Sequence, residues 1–255
     1  MRKICIIIGL FCLIILNGVS AVDGQVLLKQ ADALVNFPET DFSAEYSIVR
    51  DVPGEGKSST ECVIFRRDSE EKYVIVITEP EINKGQGYLK QGDTLWFYDP
   101  ESRKFNSTSS KNRFQNTNAR NSDFTRSTLA ADYDVEKTES AKLGRYNCTL
   151  LTLKANNDGV TYPGMKLWIS EDGLVRKYED YSLSGRLMRT TAIPSYQTVG
   201  KKFIPKYILI VENLEGAVVD GKFVNEKTQI TITNPSLARQ ADSLFSKTFL
   251  ENISQ

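Results

Sequence analysis

The chain has 255 residues, 40% of them hydrophobic and 25% charged, enough apolar material for one large or two small globular domains. Its 32 basic and 32 acidic residues balance, which argues against nucleic acid as a partner. The chain has no histidine, and this excludes Ser-His-Asp and Cys-His catalysis, the HExxH zinc helix and most zinc or copper sites.

Arg2 and Lys3 precede an apolar run from Ile4 to Leu16, and Val19-Ser20-Ala21 sets small residues at a cleavage position. Residues 1–21 therefore read as a cleaved secretory signal peptide and 22–255 as the mature chain. The run is short for a membrane span, and no second stretch of about 20 apolar residues follows. Cys12 is a poor lipidation site because Phe11, not a small residue, precedes it. Cleavage removes Arg2 and Lys3 and leaves 30 basic against 32 acidic residues. It also leaves Cys62 and Cys148, which could form a disulfide or stand as two buried thiols on separate strands.

In "VDGQVLLKQADALVNFPE", Leu27, Ala31, Leu34 and Val35 recur at helical spacing and Pro38 stops the pattern, which predicts one amphipathic helix. "DFSAEYSIVRD" then alternates Phe42, Ala44, Tyr46 and Ile48 with polar residues, the pattern of a strand with one buried face. "TECVIFRRD" and "EKYVIVITE" flank the short connection Asp68-Ser69-Glu70 and are apolar on both faces, so both faces need cover. Glycines at 85, 87 and 92 divide the next stretch into the short strands "GYLKQ" and "TLWFYD" before "RKFNS". Residues 112–126, rich in Asn, Ser and Thr, read as an exposed or mobile insertion leading to a short helix around 127–133.

Six further strand patterns follow, separated by turn signals such as Glu171-Asp172-Gly173 and Asp220-Gly221. The end, from Asn234 as cap and Pro235 as first helical residue, carries Leu237, Ala241, Leu244, Phe245 and Thr248/Phe249 on one face of a second amphipathic helix. About ten strands in one antiparallel meander with a helix at each end predict a mainly β (α+β) fold, a curled sheet with helices over one face. No repeat or linker divides residues 22–255, which read as a single domain.

Little here suggests chemistry. There is no phosphate loop, and Gly85-Gln86-Gly87 lacks the third glycine of a dinucleotide fingerprint. The acids of "YDPE", "SEDG" and "ADYD" keep an acid-pair hydrolase open, although Asp99 before Pro100 and Asp172 before Gly173 suit turns. No cofactor or metal is expected.

"GDTLWFYDP", Gly92 to Pro100, resembles the LolA-type periplasmic carriers of bacterial outer-membrane lipoproteins, in which a strand reads close to D-G-K-T-L-W-F-Y-N-P. The signal segment, the first helix, "FSAEYSIVRD", "VIFRRD" and the hairpin "LWISEDGLVRKYED" follow the same order of elements. The resemblance implies an incompletely closed antiparallel β-barrel, LolA/LolB-like, lidded by amphipathic helices. It further implies a non-enzymatic protein of the periplasm that binds the acyl chains of lipoproteins and moves them toward the outer membrane. Its partners would be an acylated lipoprotein or lipid, an inner-membrane transporter and an outer-membrane acceptor. The cavity candidates are then Tyr46, Phe65, Arg67, Tyr73, Trp96, Tyr98 and Trp168. Trp96 and Tyr98 share one strand face and Phe97 takes the other, so only one set can look inward. Arg67 aligns with an arginine that holds the lid in the family, with Asp68 where a proline commonly follows. Two other functions stay open: an accessory or sensor protein working with an inner-membrane lipid exporter, which would use the same cavity, and the acid-pair hydrolase.

Overall fold

The computed structural model describes residues 23–253, so the signal peptide over 1–21, its cleavage site and Cys12 lie outside the described residues. Helix α1 (Gly24–Val35) begins where the Asp23 side chain accepts the Gln25 backbone N–H at 2.9 Å, satisfying one of the free donors of a helix start. A first run of hairpins follows: β1 (Asp41–Val52), β2 (Gly56–Arg67), β3 (Lys72–Glu79), β4 (Gly87–Gln91), β5 (Thr94–Asp99) and β6 (Lys104–Thr108). After residues 109–128 and the one-turn helix α2 (Leu129–Asp132) the chain continues as β7 (Tyr133–Leu143), β8 (Tyr146–Ala155), β9 (Gly164–Ser170) and β10 (Val175–Tyr181). The long strands β11 (Leu187–Val199), β12 (Lys202–Val219) and β13 (Lys222–Ser236) and the short helix α3 (Lys247–Ile253) complete it.

All thirteen strands form one antiparallel sheet, ordered β6-β5-β4-β3-β2-β1-β13-β12-β11-β10-β9-β8-β7. The last strand pairs with the first, Ile48 opposite Ile230, while the edge strands β6 and β7 do not pair with each other, so the barrel stays open. The one strand without a pattern in the sequence is β7, which shows little alternation. Its exposed Glu136, Lys137 and Glu139 suit an edge, where charge discourages further strand pairing.

Both faces of β2 and β3 are covered, as their unbroken apolar runs require. Tyr73, Ile75 and Ile77 point inward with Cys62 and Ile64. Val74 and Val76 point outward and pack with Leu89, Phe245 and Leu250 beneath α3. Glycine at 87 permits this contact, since a Cβ there would stand 2.5 Å from a Leu250 methyl. On the inner side Leu28 and Ala31 of α1 pack on Leu151, Leu167 and Ile169 of β8 and β9. The helices thus cover opposite faces rather than one.

The predicted C-terminal helix is mostly strand and turn. Asn234 and Pro235 lie in β13, which runs on to pair Ser236 with Ser43, and the left-handed φ of +50° at Asn234 marks an irregularity in the ladder. Only Lys247–Ile253 is α-helical, after a 3-10 turn over Asp242–Phe245. The middle insertion also differs from expectation, because it is packed inside. Phe114, Asn118 and Ala119 are fully buried, and the Phe114 ring packs tilted against Phe124 and Tyr88 with centroids 4.6 and 5.0 Å away. Its polar residues serve internal turns. Phe114 N–H donates to Ala119 O at 2.9 Å, Thr117 Oγ1 to Phe114 O at 2.7 Å, and Asn118 N–H to Thr228 Oγ1 of β13 at 3.0 Å. A loop drawn into the interior must satisfy its own backbone, and Asn and Thr do this without a sheet neighbour. Cys62 and Cys148 are both buried and unpaired.

Candidate functional site

Alternation along each strand decides which side chains meet the interior. The inner face, α1 and residues 109–128 leave between them a cavity of about 610 Å³. Its apolar wall includes Phe42 and Tyr46 of β1, Ile210 of β12 and Ile230 and Ile232 of β13, with Met165 and Tyr178 on the far side and Ala31 and Val35 above. Tyr46 and Tyr73 of the expected set line it. Burial pushes both phenols well above their usual pKa, and the Tyr73 hydroxyl donates to Asn121 O at 3.4 Å.

Arg67 reaches the rim, but its guanidinium serves the outer side. It donates from Nε and Nη2 to the two Asp41 oxygens, both at 2.9 Å, from Nη1 to Asp242 at 2.6 Å, and lies 4.7 Å above the Phe245 ring. It therefore clamps the C-terminal turn. Phe65, Trp96 and Tyr98 also face outward, in the cluster beneath α3, where Phe65 meets Phe249 edge-on and Lys247 caps the Trp96 ring at 4.4 Å. Of the two possible sets on β5, Phe97 is the one that packs with the inner core, against Tyr88. Trp168 is half-buried with Lys177 4.5 Å over its ring, while Met165, Leu167 and Ile169 take the inner face of β9. These four aromatic residues do not line the cavity, because pleating sends each to the opposite side from its inward neighbours.

One residue along from Arg67, Arg66 takes the inward position. Its Nε lies 2.6 Å from Asp68 Oδ1, Nη1 donates to Thr125 O at 3.0 Å and Nη2 to Val35 O at 3.4 Å, over the rings of Phe37 and Phe42. Asp68, where the family commonly has proline, also accepts the Phe37 N–H at 2.7 Å. This pair thus joins the end of α1, the inner segment and the sheet at one point on the cavity rim.

The lining also holds a charged group that sequence reasoning missed. Arg189 of β11 is buried, donating from Nε to Asp180 of β10 at 2.8 Å and from Nη1 and Nη2 to Asp123 of the inner segment at 2.7 and 3.1 Å. Burial would lower Arg189's pKa, but the two carboxylates hold it protonated. Burial pushes Asp180 up to about 6 against the pull of Arg189. Asp180 and Arg189 are cross-strand partners in a hairpin, a relation that no spacing motif announces.

Asp99 and Asp172, the acids weighed for hydrolysis, hold turns: Asp99 accepts from Ser102 Oγ at 2.8 Å, and Asp172 from the Leu174 N–H at 3.2 Å. Among the described residues no group of His, Cys, Asp and Glu could hold a metal ion, and no helix is long and apolar enough to cross a membrane. The cavity can enclose an apolar chain and offers polar groups at its rim, near Arg66 and Asp68, and on its wall, around Asp180 and Arg189.

No curated protein matches the chain. Among solved structures, a LolA superfamily protein from Nitrosomonas europaea superposes with a TM-score of 0.75 at 24% identity, covering 90% of this chain and 100% of its own. A putative outer membrane lipoprotein-sorting protein domain from Vibrio parahaemolyticus gives 0.77 at 15% identity, covering 89% and 98%. A family model described as "-like: Uncharacterized protein" matches residues 69–252, more than half of the chain. The chain belongs to the family of that model, and its fold is that of the LolA superfamily.

Proposed function

We propose that the protein is a periplasmic carrier that shields an acyl chain of a lipid or lipoprotein on its way toward the outer membrane, with residues 22–255 acting as one domain after removal of 1–21. The observation that carries this reading is the cavity itself, about 610 Å³ between the inner sheet face, α1 and the inner segment. At roughly 30 Å³ per methylene, close to the volume of a water molecule in the liquid, it has room for about twenty methylenes, one chain rather than three. Each buried methylene contributes about 0.8 kcal/mol, so one chain gains on the order of 10 kcal/mol without any directional contact. The Vibrio parahaemolyticus domain named for lipoprotein sorting shares the fold and supports the choice of cargo class.

The test is retention of acyl lipid by mature protein purified from a native envelope, compared with Ile208→Asp. Ile208 lines the cavity and is only partly buried, so a carboxylate there stays hydrated when the cavity is empty and is desolvated when a chain enters. The variant should keep its circular dichroism spectrum and lose bound lipid. A wild-type protein that neither retains lipid nor binds an added acyl probe would rule the reading out.

A further inference from the structure

Charged residues interrupt the apolar wall of the cavity, at the rim near Arg66 and Asp68 and again around Asp180 and Arg189, and the Arg189 side is incompletely paired. Asp180 is fully buried, and its Oδ2 is taken by Arg189 while its Oδ1 has no partner. Tyr162, 7% exposed and also on the lining, has a phenol without a partner; the Arg120 guanidinium approaches it, but no hydrogen bond of normal geometry joins them. Arg120 Nε is likewise buried and unpaired. Buried polar atoms are seldom left unsatisfied, and two of these groups, an acceptor and a phenol, stand on the wall of an apolar cavity.

The charges around them already have partners: Arg189 meets Asp180 and Asp123, and Arg113 meets Glu215 and, at longer range, Glu212, so an ion entering here would add an uncompensated charge in a desolvated place. A neutral group that both donates and accepts would satisfy Asp180 Oδ1 and the Tyr162 phenol together. We infer that this polar end of the cavity binds the uncharged, hydroxyl-bearing head of a single-chain amphiphile, with the acyl tail lying along the apolar wall. The inference rests on the carrier reading and names the ligand class of the same cavity.

The experiment measures binding of four C16 probes to the mature protein: 1-palmitoylglycerol, methyl palmitate, palmitate and hexadecylamine. The monoacylglycerol should bind about tenfold or more tightly than the methyl ester, the size of effect expected when buried polar atoms gain or lose partners. In Tyr162→Phe, checked for an unchanged melting temperature, the ratio should fall several-fold. Equal affinity for glyceride and methyl ester, a preference for either charged probe, or an unaltered ratio in Tyr162→Phe overturns the inference and leaves the carrier reading standing. Failure of all four to bind overturns the carrier reading and this inference with it.

Discussion

Arg67 and Asp41 meet side-on, two nitrogens to two oxygens at 2.9 Å, and both side chains are only 3% exposed. The pair joins the end of β2 to the start of β1 and, through Asp242 and the Gln240 carbonyl, to the C-terminal turn. Breaking a buried pair from one side leaves the other charge uncompensated. Arg67→Ala should therefore cost about 3 kcal/mol in chemical denaturation, and a loss below about 1 kcal/mol would show that the clamp is dispensable.

The same pair fixes a response to acid. Burial alone would raise the Asp41 pKa, but the hydrogen bond and charge of Arg67 hold it below the ordinary value. Its contribution is thus present above the unfolded carboxylate pKa and is lost as pH falls through the lower folded value. Asp180 has the opposite sign: raised to about 6 by burial, it contributes stability that is complete below its ordinary 3.8 and lost as pH rises through 6. The difference in unfolding free energy between wild type and Asp180→Asn should change steadily between pH about 4 and 6, disfavouring wild type as pH rises. A difference independent of pH would show that Asp180 stays ionised throughout.

Burial also pushes the Cys62 thiol well above its usual pKa. Thiolate is the reactive form, so Cys62 should resist alkylation at pH 8 in the native protein and react at once in denaturant. A chain of residues 22–255, unfolded without prior reduction, should then show two alkylated cysteines; none would reveal an oxidised pair.

Much of the sheet was legible because alternation and turn chemistry are local. Phe42, Ala44, Tyr46 and Ile48 announce one inward face, the two-sided runs of β2 and β3 announce a second layer, and Gly173 and Gly221 sit in the positive-φ turns that their Asp-Gly pairs predicted. Which face looks inward is a tertiary fact. Trp96 and Phe97 carry equal aromatic signals, and only the placement of α3 outside and Phe114 inside separates them. Arg66 and Arg67 are likewise identical in sequence terms, yet one holds α1 and the other the C-terminal turn. Asn and Thr in 112–126 suggested exposure because hydrogen bonds closed within a buried turn leave the same composition as hydrogen bonds to water.

Trp96 gives a test of that orientation. It packs beneath α3, on the face away from the cavity, with Lys247 over its ring. Trp96→Ala should lower stability by about 2–4 kcal/mol through the lost packing and expose α3 to early proteolysis, while acyl-probe affinity stays within twofold of wild type. A large loss of affinity in a folded variant would place the ring at the cavity after all.

The inner segment yields the sharpest contrast between composition and position. An exposed polar loop tolerates truncation of its side chains, whereas Phe114 is fully buried and packs against Phe124 and Tyr88 inside the sheet. Phe114→Ala removes a ring from this contact and leaves a void that the surrounding strands cannot close, because β4 and β5 are fixed in their ladders on that side. The expected cost is about 3–5 kcal/mol, measured as a shift in denaturation midpoint at unchanged slope. Nearby Asn116 is exposed at a left-handed turn position, so Asn116→Gly should change stability by less than about 0.5 kcal/mol. If both variants proved neutral, residues 109–128 would be a surface loop and the cavity would lack its inner wall; a large effect from Phe114→Ala alone fits a segment built into the core.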